Sequence, residues 1–123
     1  MDPLIIEASE TTPGVILDKE KSIFKISGWS HPEDAIRFYS PVIEWMNLYA
    51  ASPNPETKFI FHFQYYNTSA AKQIFRLISM LEEVAKKSKT KISWHYNTED
   101  TDMHSSGERF SKMSTVPFEF ISH

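Results

Sequence analysis

The spacing of apolar residues changes repeatedly along this chain, and each change marks an element. A short apolar run over residues 4–7 comes first, and Pro13-Gly14 marks a turn or a strand entry. Val15-Ile16-Leu17 and Ile23-Phe24-Lys25-Ile26 flank Asp18-Lys19-Glu20-Lys21, which predicts a hairpin with a charged tip. Gly28 is expected to end the second strand. From Pro32 the spacing lengthens: Ala35, Ile36, Tyr39, Val42, Ile43, Met46 and Tyr49 recur at three- and four-residue steps, one stripe of a helix. Ser30 or His31 before Pro32, with Glu33 and Asp34 in the first turn, suits its start. Pro41 lies inside this stripe and is expected to kink or split the helix, since it donates no hydrogen bond and clashes with the preceding turn. Ser52-Pro53-Asn54-Pro55 forms the loop that follows.

Strict alternation then appears. Over Lys58 to Tyr66, Phe59, Phe61, Phe63 and Tyr65 share one face, with Ile60, His62, Gln64 and Tyr66 on the other. The helical period returns at Asn67 with Ala70, Ala71, Ile74, Phe75, Ile78, Leu81 and Ala85. Thr90 to Tyr96 reads as a strand presenting Ile92, Trp94 and Tyr96 together. Residues 99–114 are polar and weakly helical, with Phe110 and Met113 as anchors. Pro117 opens a last strand, Phe118 to Ile121. The order β-β-β-α-β-α-β-α-β predicts an α/β sandwich. Its mixed β-sheet has five to six strands, with two long helices and a shorter third, and its β-α-β units are right-handed and so parallel.

Composition narrows the function. At 123 residues with 41% hydrophobic and 14% aromatic content, the chain can bury one real core, so residues 1–123 are read as a single domain. Thirteen basic against sixteen acidic residues leave a net charge of −3, which offers nucleic acid no strong field. The absence of cysteine removes disulfides, thiol catalysis and thiolate metal sites. No run approaches a membrane span, and the first residues lack the features of a signal peptide, so a cytoplasmic protein without membrane insertion is expected. Three scattered glycines (Gly14, Gly28, Gly107) build no phosphate-cradling loop, and no cofactor is implied.

The chemistry-bearing side chains form few constellations. No GxSxG elbow is present. The five histidines (His31, His62, His95, His104, His123) show no metal-ligand spacing, so no metal is expected; each reads best as a hydrogen-bonded or edge residue. His62 and His95 lie on predicted neighbouring strands, and with Ile60, Gln64 and Tyr66 they frame an alternative small-molecule or catalytic site that requires a concave pocket. The more informative feature is the junction Tyr65-Tyr66-Asn67-Thr68-Ser69-Ala70-Ala71-Lys72, where a strand passes into a long amphipathic helix. Asn67, Thr68 and Ser69 are all competent caps, and plain capping accounts for them. A regulatory phosphorylation site accounts for them as well. A phosphate at a helix start meets free backbone N–H groups and the positive end of the helix dipole, and Lys72 lies one turn on.

The run Phe63-Gln64-Tyr65-Tyr66-Asn67-Thr68-Ser69-Ala70-Ala71-Lys72, followed by Ile92-Ser93-Trp94-His95-Tyr96, resembles the SiaC family of bacterial regulatory phosphoproteins. Thr12-Pro13, Pro32-Glu33 and Pro117-Phe118 fit the same pattern. The resemblance implies a fold similar to the STAS domains of anti-sigma factor antagonists. It also implies a non-enzymatic switch, phosphorylated by a serine/threonine kinase of histidine-kinase-like ATPase fold and reset by a PP2C-type phosphatase. The unmodified form would control a target, in such systems a diguanylate cyclase and hence cyclic-di-GMP. Carried onto this chain, the phosphoacceptor is Thr68, with Tyr66, Asn67, Ser69 and Lys72 around it. Ala70 departs from the hydroxyl residue found there in much of the family, and Pro41 suggests a reshaped partner surface.

Overall fold

The computed structural model describes residues 1–123. Strands β1 (Leu4–Ile6), β2 (Gly14–Asp18) and β3 (Ile23–Ser30) precede helix α1 (Ala35–Ala51), strand β4 (Glu56–Tyr66) and helix α2 (Thr68–Val84). Strand β5 (Lys89–Tyr96), helix α3 (Thr101–Lys112) and strand β6 (Phe118–Ser122) complete the chain. One six-stranded sheet results, its strands lying side by side in chain order. β1, β2 and β3 are antiparallel, whereas β3, β4, β5 and β6 run parallel. The mixed sheet and two long helices with a shorter third match the sequence expectation, with six strands.

Three successive right-handed crossovers between neighbouring strands carry α1, α2 and α3 to the same side of the sheet. The burial pattern agrees. Val15, Leu17, Phe24, Ile26, Phe59, Phe61, Phe63, Ile92 and Trp94 are buried beneath the helices. Residues of the opposite face, among them Ile5, Ile16, Ile23, Trp29 and Ile121, stay exposed. Polar groups in the core are paired. Ser30 and Tyr39 hydroxyls lie 2.7 Å apart, and Tyr49, Thr57 and Ser88 form a chain of hydroxyls with steps of 2.7 and 2.8 Å. Burial pushes the Tyr39 hydroxyl well above its ordinary pKa, so it serves as a neutral hydrogen-bonding group.

Several local expectations are corrected. Helix α1 is capped by Asp34, whose carboxylate accepts from the Arg37 N–H at 3.0 Å, rather than by Ser30 or His31. Pro41 does not split it; α1 is one continuous helix with the exposed proline inside. The buried stripe of α2 is Ala70, Gln73, Ile74, Leu77, Ile78, Leu81 and Val84, so Phe75 and Ala85 face outward. Of the two expected anchors of α3, Phe110 is buried and Met113 is exposed; Met103 takes the second place in the core.

Gly28 does not end β3 either. It adopts φ +108°, open to glycine at little cost, and the strand continues to Ser30. There the ladder slips: Gly28 pairs with Phe63 but Trp29 with Tyr65, leaving Gln64 as an extra residue, a β-bulge. Because side chains alternate with period two, one extra residue inverts the phase of the strand. Tyr65, expected beside Phe63, is exposed, and Tyr66 turns to the helix side, with its ring 5.7 Å from Phe63 and 6.2 Å from Phe110.

Candidate functional site

The carboxyl end of β4 opens into a cleft of ≈ 610 Å³ between the starts of α2 and α3. Its floor and walls include Tyr66, Asn67 and Thr68 on one side and Asp100, Asp102, Ser106, Arg109 and Phe110 on the other. The α2 side is pinned from below, since the Asn67 N–H donates to the Ser30 carbonyl at the end of β3 at 3.0 Å. Asn67 then caps the helix: its side-chain oxygen accepts from the Ala70 N–H at 2.9 Å, and its carbonyl accepts from the Ala71 N–H, also at 2.9 Å.

The division of labour at this junction follows directly. Capping is the task of Asn67 alone; no hydrogen bond of the turn runs to the hydroxyl of Thr68 or Ser69. Both residues are exposed, as is Lys72 one turn further, while Asn67 and Tyr66 are half-buried. Thr68 occupies the first helical position, where backbone N–H groups lack helical partners and the dipole is positive. Trp29 and Tyr65, each 46% exposed, sit with His31 beside the cleft, their rings 5.9 to 6.3 Å apart.

The α3 wall is what sequence reasoning missed. Asp100 caps α3 through the Met103 N–H at 2.9 Å, and the buried Trp94 indole donates to the Met103 carbonyl at 3.0 Å. Trp94 thereby locks α3 to β5, and the Phe110 ring packs against Trp94 at 5.6 Å, tilted by 48°. The usable signal was Asp100 preceding Thr101 and Asp102 in a weakly apolar stretch, a capping pattern that the polar composition obscured.

The alternative site does not assemble as expected. The bulge separates Tyr66 from the face of Ile60 and His62, and Gln64 and Tyr66 line the cleft instead. None of the five principal cavities is lined by a histidine. His62 and His95 do approach, at 5.6 Å between ring centroids, but on the open face of the sheet, where His123 joins them. Both nitrogens of His95 are hydrogen-bonded: Nδ1 lies 2.8 Å from His123 Nε2, and Nε2 lies 3.0 Å from Ser93 Oγ. Partial burial, then the charges of His123 and Lys25, lower the pKa of His62; burial, His62 and His123 lower that of His95.

Fold and junction together define a two-layer α/β domain that presents a hydroxyl-bearing helix start beside a cleft at the end of a central strand. The sequence profile described as SiaC family regulatory phosphoprotein matches residues 6–123, and the chain belongs to that family. It is similar to SiaC of Pseudomonas aeruginosa, a solved structure with TM-score 0.89 and 24% identity, each chain covered fully. A chain of the solved complex of the diguanylate cyclase SiaD with its activator SiaC, from the same organism, aligns with TM-score 0.90 and 24% identity. That alignment covers 98% of this chain and 99% of the other. An uncharacterised protein of Pseudomonas aeruginosa strain UCBPP-PA14 is 24% identical over 124 residues, all of this chain and 98% of that protein. No helix of the structure is long and apolar enough to cross a membrane.

Proposed function

We propose that this protein is a non-enzymatic, STAS-like partner-switching protein of the cytoplasm, with Thr68 as its phosphoacceptor. A serine/threonine kinase of histidine-kinase-like ATPase fold esterifies the hydroxyl, and a PP2C-type phosphatase removes the phosphate. The unmodified form binds and controls a diguanylate cyclase, as the similarity to the SiaD–SiaC complex suggests.

The observation that carries this reading is the exposed Thr68 hydroxyl in a helix turn already capped by Asn67. Because the fold does not use that oxygen, a kinase can take it without unfolding the junction. The product carries about −1.5 to −2 charge at the helix start, where unpaired N–H groups and the dipole accommodate it. Lys72 lies one turn along and Arg109 lines the opposite wall, both available as counter-charges. Asp100 and Asp102 line the same cleft, so the added charge makes this rim strongly anionic. A partner packed over Trp29, Tyr65 and the cleft would have to desolvate a dianion, and it leaves.

The test compares unmodified protein with protein carrying phosphothreonine at position 68, installed during synthesis, for binding to the purified cyclase and for cyclic-di-GMP output. Binding should weaken by about tenfold or more, the equivalent of ~1.4 kcal/mol, and output should change with it. Equal binding of the two forms would overturn the reading. Aspartate is a poor stand-in, with about half the charge and no tetrahedral geometry.

A further inference from the structure

We propose that His62, His95 and His123 form a three-imidazole binding site for a single transition-metal ion of the zinc class on the open face of the sheet. The three residues come from adjacent parallel strands or their ends, β4, β5 and β6, and one ring nitrogen from each lies within 4.8 Å of the other two. The rings form a closed triangle with centroid separations of 4.7, 5.1 and 5.6 Å. A tetrahedral ion with Zn–N bonds of ~2.0–2.1 Å requires ligating nitrogens about 3.3 Å apart. Small rotations about the side-chain torsions of His62 and the exposed His123 bring the triangle to that size. His95, the most constrained of the three, stays in place.

The surroundings orient His95 as a ligand. Its Nε2 lies 3.0 Å from the fully buried Ser93 hydroxyl; with the hydroxyl proton directed to the neighbouring Glu119 carboxylate, the Ser93 oxygen accepts from Nε2–H and the Nδ1 lone pair faces the other two rings. A hydrogen-bonded outer nitrogen is the arrangement by which metal-binding imidazoles are held in one tautomer. In that tautomer, and without metal, Nδ1 accepts from the N–H of His123 Nε2 across 2.8 Å. On binding, that proton passes through solvent to the outer nitrogen of His123, and both lone pairs turn to the ion. No proton is lost overall, and water takes the fourth position.

Ligand chemistry sets the selectivity. All three donors are imidazole nitrogens, and Lys25 and Lys58 contribute positive charge to the same face. Hard cations such as Mg2+ and Ca2+ need oxygen ligands and gain nothing here, whereas Zn2+, Cu2+ and Ni2+ form strong bonds to neutral imidazole. This site does not depend on Thr68.

The full-length chain, stripped with chelator, should take up one equivalent of Zn2+ in a calorimetric titration and none of Mg2+. Substituted with Co2+, it should show the intense visible d–d bands of four-coordinate cobalt. His62→Gln, His95→Gln and His123→Gln should each weaken Zn2+ binding by at least about tenfold, and Ser93→Ala by roughly 10-fold or more. His104→Gln, whose ring lies by Glu108 on α3, should leave it unchanged. Circular dichroism identifies any variant that fails to fold, and His123→Gln, at the exposed strand end, tests the site without disturbing the core. Absence of saturable Zn2+ uptake overturns the proposal. So does uptake that survives His62→Gln and His123→Gln, or a six-coordinate cobalt spectrum.

Discussion

Asn67→Ala and Thr68→Ala change neighbouring residues in the same turn, yet they should differ sharply in effect. Removing the Asn67 side chain leaves the Ala70 N–H without its 2.9 Å acceptor, and Ala70 is fully buried, so water replaces that acceptor poorly. The cost therefore belongs in the upper half of the range for lost caps, about 1–2 kcal/mol. For a domain of this length that is a fall in Tm of about 4–8 °C. The Thr68 hydroxyl makes no hydrogen bond in the turn and its residue is exposed, while alanine is the better helix former. Stability should then change by less than ~0.5 kcal/mol. Phosphothreonine at position 68 should move the other way, gaining about 0.3–1 kcal/mol from the helix dipole, an increment that added salt diminishes. Thermal unfolding followed by circular dichroism at low and high salt measures all three proteins. If Thr68→Ala loses as much stability as Asn67→Ala, the hydroxyl is part of the cap and the reasoning about a spare oxygen fails.

Gly107→Ala should destabilise, although glycine to alanine normally favours a helix by about 1 kcal/mol. Its Cβ would lie 2.5 Å from Trp94 Cδ1 and 2.6 Å from Nε1, and the indole is wedged in the core, so the overpacking cost of ~1–3 kcal/mol wins. A lower Tm with a changed near-ultraviolet tryptophan spectrum is expected, and a raised Tm would refute it. Glu82 accepts from the Thr115 N–H at 3.0 Å and its hydroxyl at 2.8 Å, which holds its carboxyl below the ordinary value. The depressed folded-state pKa means that this stabilisation is complete above the unfolded value and is lost as pH falls through the folded one. Solvent screening at this exposed site limits it to about 0.5–1 kcal/mol. Glu82→Gln should accordingly flatten the acid limb of a stability-against-pH curve, and an unchanged limb would count against the contact.

Much of this architecture was legible because its signals are local. The hairpin at Asp18–Lys21, the alternation from Phe59 to Phe63 and the 3.6-residue stripe after Asn67 each arise from a single period. The Asn67–Thr68–Ser69 junction stood out for the same reason, as three polar residues where one period gives way to another. What stayed hidden depends on partners distant in sequence. The bulge at Gln64 exists only against Gly28, so alternation alone placed Tyr65 inside and Tyr66 outside. Helix α3 is held by a tryptophan on β5 and a glycine cut to fit it, neither of which has a periodic signature. His123 joins His62 and His95 only through the parallel register of three strands. Pro41 does not split α1 because packing of the helix against the sheet and α2 outweighs one missing backbone hydrogen bond.

The slipped pairing opposite Gly28 makes a single strand serve two masters. Up to Phe63 the chain weaves in one sense, and beyond Gln64 it weaves in the other. One tyrosine thus becomes part of the interior and its immediate predecessor part of the outer surface. Deleting Gln64 would leave Trp29 opposite Tyr65 and Ser30 opposite Tyr66, so each tyrosine would keep its face; regular pairing with Gln64 retained would exchange them, sending the aromatic support of the cleft into water and a rim side chain under the helices. The slip in pairing, rather than the side chain it leaves over, therefore decides which of two adjacent tyrosines faces the solvent.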